Sequence, residues 1–108
     1  MKRAEVWWVE FDPSLGSEIR KTRPAVVISN DAANRNLARV VVIPLTSNVS
    51  RVYPGEALIT LAGAQGKAMC DQIMAADKSR LQTKLGVLTK ADMRLVEDAL
   101  LIHLGLPK

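Results

Sequence analysis

A chain of 108 residues with 48% hydrophobic and 24% charged side chains has the composition of one cored globular domain, and it is too short for a second cored unit. A single histidine, His103, and a single cysteine, Cys70, exclude a zinc centre of nitrogen and sulfur ligands and any internal disulfide. Fifteen Lys and Arg against eleven Asp and Glu leave a net charge of +4, a mild bias towards a polyanionic partner.

Residues 4–11 alternate small or acidic side chains with large ones such as Val6 and Trp8, and this period of two predicts a first strand that Asp12-Pro13 ends. Residues 13–22 are polar around Gly16 and too many for a hairpin turn, which marks them as a candidate functional loop. Arg20, Lys21 and Arg23 cluster at its end. Residues 24–29 and 40–45 are apolar at both parities and are predicted as buried strands, with room for one helical turn in residues 30–36 between them. Residues 56–61 and 67–73 form two further predicted strands around the glycine-bracketed turn 62–66. A short helix at 77–81 and a short strand at 85–88 follow.

Thr89, with Asp92 three residues on, resembles a capping box at the start of a last helix that runs to Leu104. Met93, Val96, Leu100 and Leu104 give its buried face, Gly105 its cap and Pro107 its stop, while Leu95, Ala99 and Ile102 widen the apolar surface. Six short strands and one terminal helix predict a mainly β fold, a small and partly open barrel in a single domain spanning 1–108. The longest apolar runs, Val40-Val41-Val42-Ile43 and Ala99-Leu100-Leu101-Ile102, fall far short of the roughly 20 residues of a membrane span. The lone thiol and the charged start Met1-Lys2-Arg3, with no apolar run behind it, predict a cytoplasmic protein.

Six strings carry a resemblance. They are Val6-Trp7-Trp8-Val9-Glu10-Phe11-Asp12-Pro13, Gly16-Ser17-Glu18, Arg23-Pro24-Ala25-Val26-Val27, Pro44-Leu45-Thr46-Ser47, Asp71-Gln72-Ile73 and Asp77-Lys78-Ser79-Arg80-Leu81. In this order and spacing, across nearly the whole chain, they resemble the MazF/PemK toxin family. The resemblance implies an SH3-like barrel that works as a homodimer. It also implies the toxin of a type II toxin–antitoxin pair, an endoribonuclease that cuts single-stranded messenger RNA without metal or cofactor. Attack by the neighbouring 2′-hydroxyl would leave a 2′,3′-cyclic phosphate and a 5′-hydroxyl. A MazE-like antitoxin with an acidic C-terminal segment is the implied partner.

The same resemblance assigns catalysis to Arg23 and Thr46. Pro24 biases Arg23 towards an extended backbone, and a guanidinium fork can hold two phosphate oxygens as charge gathers on them. A guanidinium keeps its proton to above about pH 12 and is a poor base, so the proton acceptor stays unassigned. Thr46 ends a predicted strand, where its hydroxyl can donate to a phosphoryl oxygen or orient the 2′-hydroxyl.

Ser17, Glu18, Arg20 and Lys21 in the first loop, Ser47 after Thr46, and Asp71 and Gln72 on the predicted strand 67–73 are the implied RNA contacts. Gln72 can read a base edge. Met69 and Met74 stand where relatives carry cations, which leaves the leaving-group acid open. Trp7 and Trp8 are expected to pack, Cys70 to be buried, and His103 to favour the helix dipole in the last turn. Two alternatives are a catalytically silent RNA-binding module and a CcdB-like toxin directed at gyrase. The second of these ends in Trp-Gly-Ile, whereas this chain ends Leu106-Pro107-Lys108.

Overall fold

A computed structural model describes residues 1–11 and 21–108, with Lys21 described by its backbone alone. Among the described residues the strands are β1 (Glu5–Phe11), β2 (Lys21–Val27), β3 (Arg39–Thr46), β4 (Glu56–Leu61), β5 (Ala64–Met69), β6 (Met74–Asp77) and β7 (Leu81–Val87). Two helices, α1 (Asp31–Asn36) and α2 (Lys90–Leu104), and two 3-10 turns, Cys70–Gln72 and Lys78–Arg80, complete the chain. All strand pairs are antiparallel, in the order β4-β5-β3-β2-β1-β7, with β6 beside the first half of β3. The two end strands do not pair, so the sheet curls without closing.

Apolar residues at both parities of β2 and β3 have a structural reason, because each face of the sheet is covered. Val26, Ile43 and Leu45 join Val6, Ile59 and Ala68 beneath Met93, Val96 and Ala99 of α2. Ala25, Val27, Val40 and Val42 join Val9, Ala76 and Leu81 on the opposite face, flanked by Trp7 and Phe11. Trp7 packs as expected. Trp8 does not, since it is 39% exposed: it shares the parity of the buried Val6 but stands opposite Pro24 rather than within that core.

Several boundaries differ from the sequence reading. The strand expected at 67–73 stops at Met69, and Asp71 and Gln72 lie in a 3-10 turn instead. The cause is a change of neighbour: β5 pairs with β3 at Leu45 and Thr46, β6 pairs with it at residues 39–42, and the turn spans the gap at Ile43 and Pro44. Strand β6 is an addition to the six strands expected. The turn before β5 is only Ala62-Gly63, both at positive φ, rather than five residues. Strand β7 begins at Leu81, earlier than residue 85, because it pairs along β1. The expected helix at 77–81 is a single 3-10 turn.

Thr89 caps α2 by accepting the Asp92 N–H at 3.1 Å, and Gly105 closes it with φ of 69°. Asp92 does not reciprocate; its carboxylate accepts the Thr60 N–H at 2.9 Å and ties the helix to β4. Leu104 is exposed, and Ala99 takes its place in the buried face. No helix among the described residues is long and apolar enough to cross a membrane.

The start of β1 carries a pH-dependent contribution to stability. The buried Glu5 carboxylate accepts the Lys2 N–H at 2.9 Å and the Trp7 indole N–H at 3.0 Å, and pairs with Lys84 at 3.1 Å. Burial alone raises its pKa, but these three partners outweigh it and bring the group from 4.5 to about 2. A depressed carboxyl stabilises the fold above its unfolded pKa, and the gain is lost as pH falls from about 4.5 through about 2. Urea unfolding at stepped pH is expected to show wild type losing roughly 3 kcal/mol more than Glu5→Gln across this window. Parallel losses in the two proteins would refute the assignment.

Candidate active site

The sheet places two of the sequence-predicted residues at the same end of neighbouring strands. Strands β2 and β3 pair as Ala25 with Pro44, Val26 with Ile43 and Val27 with Val42, and Arg23 and Thr46 each lie two residues beyond the last of these pairs, at the same end. Both residues lie within their strands, at the end where the apolar rows Val27-Ala25 and Val40-Val42-Pro44 run out. Each is two residues on from a member of the Ala25–Pro44 pair, and alternation along a strand gives both the parity of that pair.

Their local environments suit an anion. Among the described residues no side chain forms a hydrogen bond or ion pair with Arg23, which is partly exposed and whose planar donor fork can hold an anion. Thr46 Oγ1 accepts the Asn48 N–H at 3.2 Å, which orients the hydroxyl and leaves its hydrogen to donate. On its other side Thr46 pairs with Lys67 of β5. Gly66 permits this close approach, since a Cβ there would stand 3.1 Å from the Thr46 carbonyl oxygen. An open, apolar cleft of about 170 Å³ lies at Thr46, lined also by Pro24, Leu45, Ser47, Leu61 and Gln65.

The remaining expected contacts are distributed differently. Ser47 is exposed at the cleft next to Thr46. Ser17, Glu18 and Arg20 lie outside the described residues, and Lys21 is placed only as the first residue of β2. Asp71 is exposed and borders a second hollow of about 250 Å³ with Tyr53, Glu56 and His103. Gln72 is also exposed, and its amide N–H reaches Met69 Sδ at 3.5 Å. Cys70 is fully buried, and burial, helped by Asp71 and Glu56, pushes its thiol up to about 11, as befits an inert core residue.

One neighbour of Thr46, with the groups that hold it, has no counterpart in the sequence reading. Lys67 is buried, pairs with Glu56 at 3.0 Å, donates to the Arg51 carbonyl at 2.7 Å and lies 5.9 Å from the centre of the Tyr53 ring. The Tyr53 N–H, and the Lys67 ammonium acting against burial, hold Glu56 below the usual carboxylate range. Lys67 shares the polar parity of Gln65 along β5, so the sequence pattern gives no signal that it is buried. Its burial depends on a strand pairing that spacing does not reveal.

Comparison with known proteins gives a consistent assignment. Residues 2–104 match the family described as PemK-like, MazF-like toxin of type II toxin-antitoxin system. The chain is 40% identical to Endoribonuclease MazF9 of Mycobacterium tuberculosis over 115 residues, covering 98% of each. It is 32% identical to Endoribonuclease toxin MazF of Escherichia coli over 99 residues, or 91% of this chain and 88% of that one. Among solved structures, a mycobacterial endoribonuclease in complex with its cognate antitoxin superposes with a TM-score of 0.83 at 29% identity, covering 100% of this chain and 98% of that one.

Proposed function

Because the chain belongs to the PemK-like, MazF-like toxin family of type II toxin–antitoxin systems, we propose that it is the endoribonuclease toxin of such a pair, with Arg23 and Thr46 as its catalytic residues. The observation that supports this most directly is that a guanidinium with no partner among the described residues and an oriented hydroxyl lie at the same end of two paired strands, the hydroxyl at an open cleft. Such a pair binds a phosphodiester through its two non-bridging oxygens. It does not itself supply a nucleophile, because a guanidinium and a threonine hydroxyl held as a donor are both poor ones.

RNA carries its own. The 2′-oxygen attacks the adjacent phosphorus, the bond from phosphorus to the 5′-oxygen breaks, and the products are a 2′,3′-cyclic phosphate and a 5′-hydroxyl. The 2′-hydroxyl gives up one proton and the leaving 5′-oxygen takes up another. Arg23 stabilises the extra charge on the phosphoryl oxygens, and Thr46 donates to one of them or orients the attacking hydroxyl. Asp71 and Gln72 border the path of the RNA, where the Gln72 amide reads a base edge, and Ser47 contacts the strand next to the site. Ser17, Glu18, Arg20 and Lys21 contribute from the first loop.

The protein acts in the cytoplasm as a homodimer, whose two-fold axis lengthens the short groove of one chain. An antitoxin's acidic, initially disordered segment competes with RNA by occupying the phosphate positions at Arg23. Cleavage of a defined messenger RNA in excess EDTA tests the reading. Cutting is expected to persist and to leave cyclic phosphate ends. Loss of cutting on chelation, restored by magnesium, would overturn the metal-independent route.

A further inference from the structure

On the side of Thr46 away from Arg23, the structure holds an aromatic ring in an unusual setting. Tyr53 is 55% exposed, although it sits in a cluster of fixed contacts. Its backbone N–H donates to Glu56 Oε1 at 3.0 Å, Arg51 donates to its hydroxyl at 3.3 Å, and the Lys67 ammonium lies 5.9 Å from its ring centre. Lys67 is itself immobilised by Glu56 and by the Arg51 carbonyl. The energetic oddity is the buried ion pair: a lysine at this place costs desolvation that an apolar residue would avoid. What it achieves is to pin the connection between β3 and β4, and the ring that this connection carries, against the partner strand of Thr46.

We propose that Tyr53 is a stacking platform for an RNA base next to the cleaved phosphate, with Lys67 as the residue that positions it. The inference rests on the endoribonuclease reading and extends it. Thr46 and Lys67 are direct cross-strand partners, and one lysine side chain separates that pair from the ring. A strand whose phosphate lies on Arg23 and Thr46 therefore brings a neighbouring base to Tyr53 within about one or two nucleotides. The ammonium supports the ring by cation–π attraction, and Arg51 adds a second cation at its edge. Preorganisation matters here because these contacts reduce the rotamer freedom the ring gives up when the base arrives. Stacking tolerates any base, so Tyr53 adds affinity and direction at this position, whereas Gln72 on the proposed path would add selectivity.

The test is equilibrium binding of a single-stranded oligoribonucleotide that carries the mapped cleavage site, made uncleavable by a 2′-deoxy sugar at the attacking position. Binding is read by fluorescence anisotropy for wild type, Tyr53→Phe and Tyr53→Leu. Tyr53→Leu is expected to weaken binding about tenfold and Tyr53→Phe by less than threefold, with thermal midpoints unchanged because the ring is exposed. A set of oligonucleotides, each abasic at one flanking position, should show one position at which wild type loses about tenfold and Tyr53→Leu loses nothing further. Equal affinities of wild type and Tyr53→Leu, or the same abasic profile in both, would overturn the inference. The endoribonuclease reading fails separately, if the same RNA without the deoxy substitution is bound and never cut.

Discussion

Arg23→Ala is expected to slow RNA cleavage by about two to three orders of magnitude while weakening RNA binding less than tenfold. The expectation follows from where charge appears. In the ground state the phosphodiester carries one negative charge spread over its two non-bridging oxygens. As the 2′-oxygen bonds to phosphorus, those oxygens take on a second. A fixed guanidinium gains more from the second charge than from the first, and the difference appears as rate. Among the described residues no side chain competes for the Arg23 fork. Arg23→Lys retains the charge but loses the planar pair of donors, and should recover only part of the rate.

Thr46→Ala is expected to cost about a hundredfold, and the double variant less than the product of the two, because both groups serve one transition state. Single-turnover rates under saturating enzyme, with binding measured separately, make the comparison. Near-normal rates in both single variants would place the chemistry elsewhere in the molecule.

The parts of this site that could be read from sequence are those in which a residue and its strand carry the signal together. Arg23 precedes Pro24 and a branched run, and Thr46 ends another, so their places on or beside strands followed from local pattern, although β2 begins at Lys21 and takes Arg23 in. That β2 and β3 pair with these ends together did not, because register is a relation between segments distant in sequence. The same gap explains Lys67, an ordinary strand residue until β5 is laid beside β3. The apolar spacing of Met69 and Ile73 predicts a strand through Asp71 and Gln72, yet the chain makes a 3-10 turn there as it passes from pairing with Leu45 and Thr46 to pairing with residues 39–42. Tyr53 was passed over because a lone aromatic among Val52, Pro54 and Gly55 has no period to read. Leu104 shows the converse error: its helical spacing is right, but α2 extends past the edge of the sheet and leaves it exposed.

Replacing one 2′-hydroxyl of the RNA by hydrogen, on the nucleotide just before the cleaved bond, is expected to abolish cutting at that bond altogether. The proposed site supplies charge stabilisation and geometry, with the nucleophile belonging to the substrate, so no protein group remains to take its place. Binding should stay within a few fold, since the phosphates and bases that the protein contacts are unchanged. The same logic governs duplex RNA, which should be spared although it contains every 2′-hydroxyl. A-form stacking holds the 2′-oxygen, the phosphorus and the 5′-oxygen away from the collinear arrangement that displacement needs, and pairing hides the base edges. Gel analysis of one sequence in three forms, single-stranded, deoxy-substituted and annealed, separates these effects. A hydrolase that activates water would cut the deoxy-substituted strand as readily as the parent, and that result would remove the 2′-hydroxyl mechanism while leaving Arg23 as a phosphate ligand.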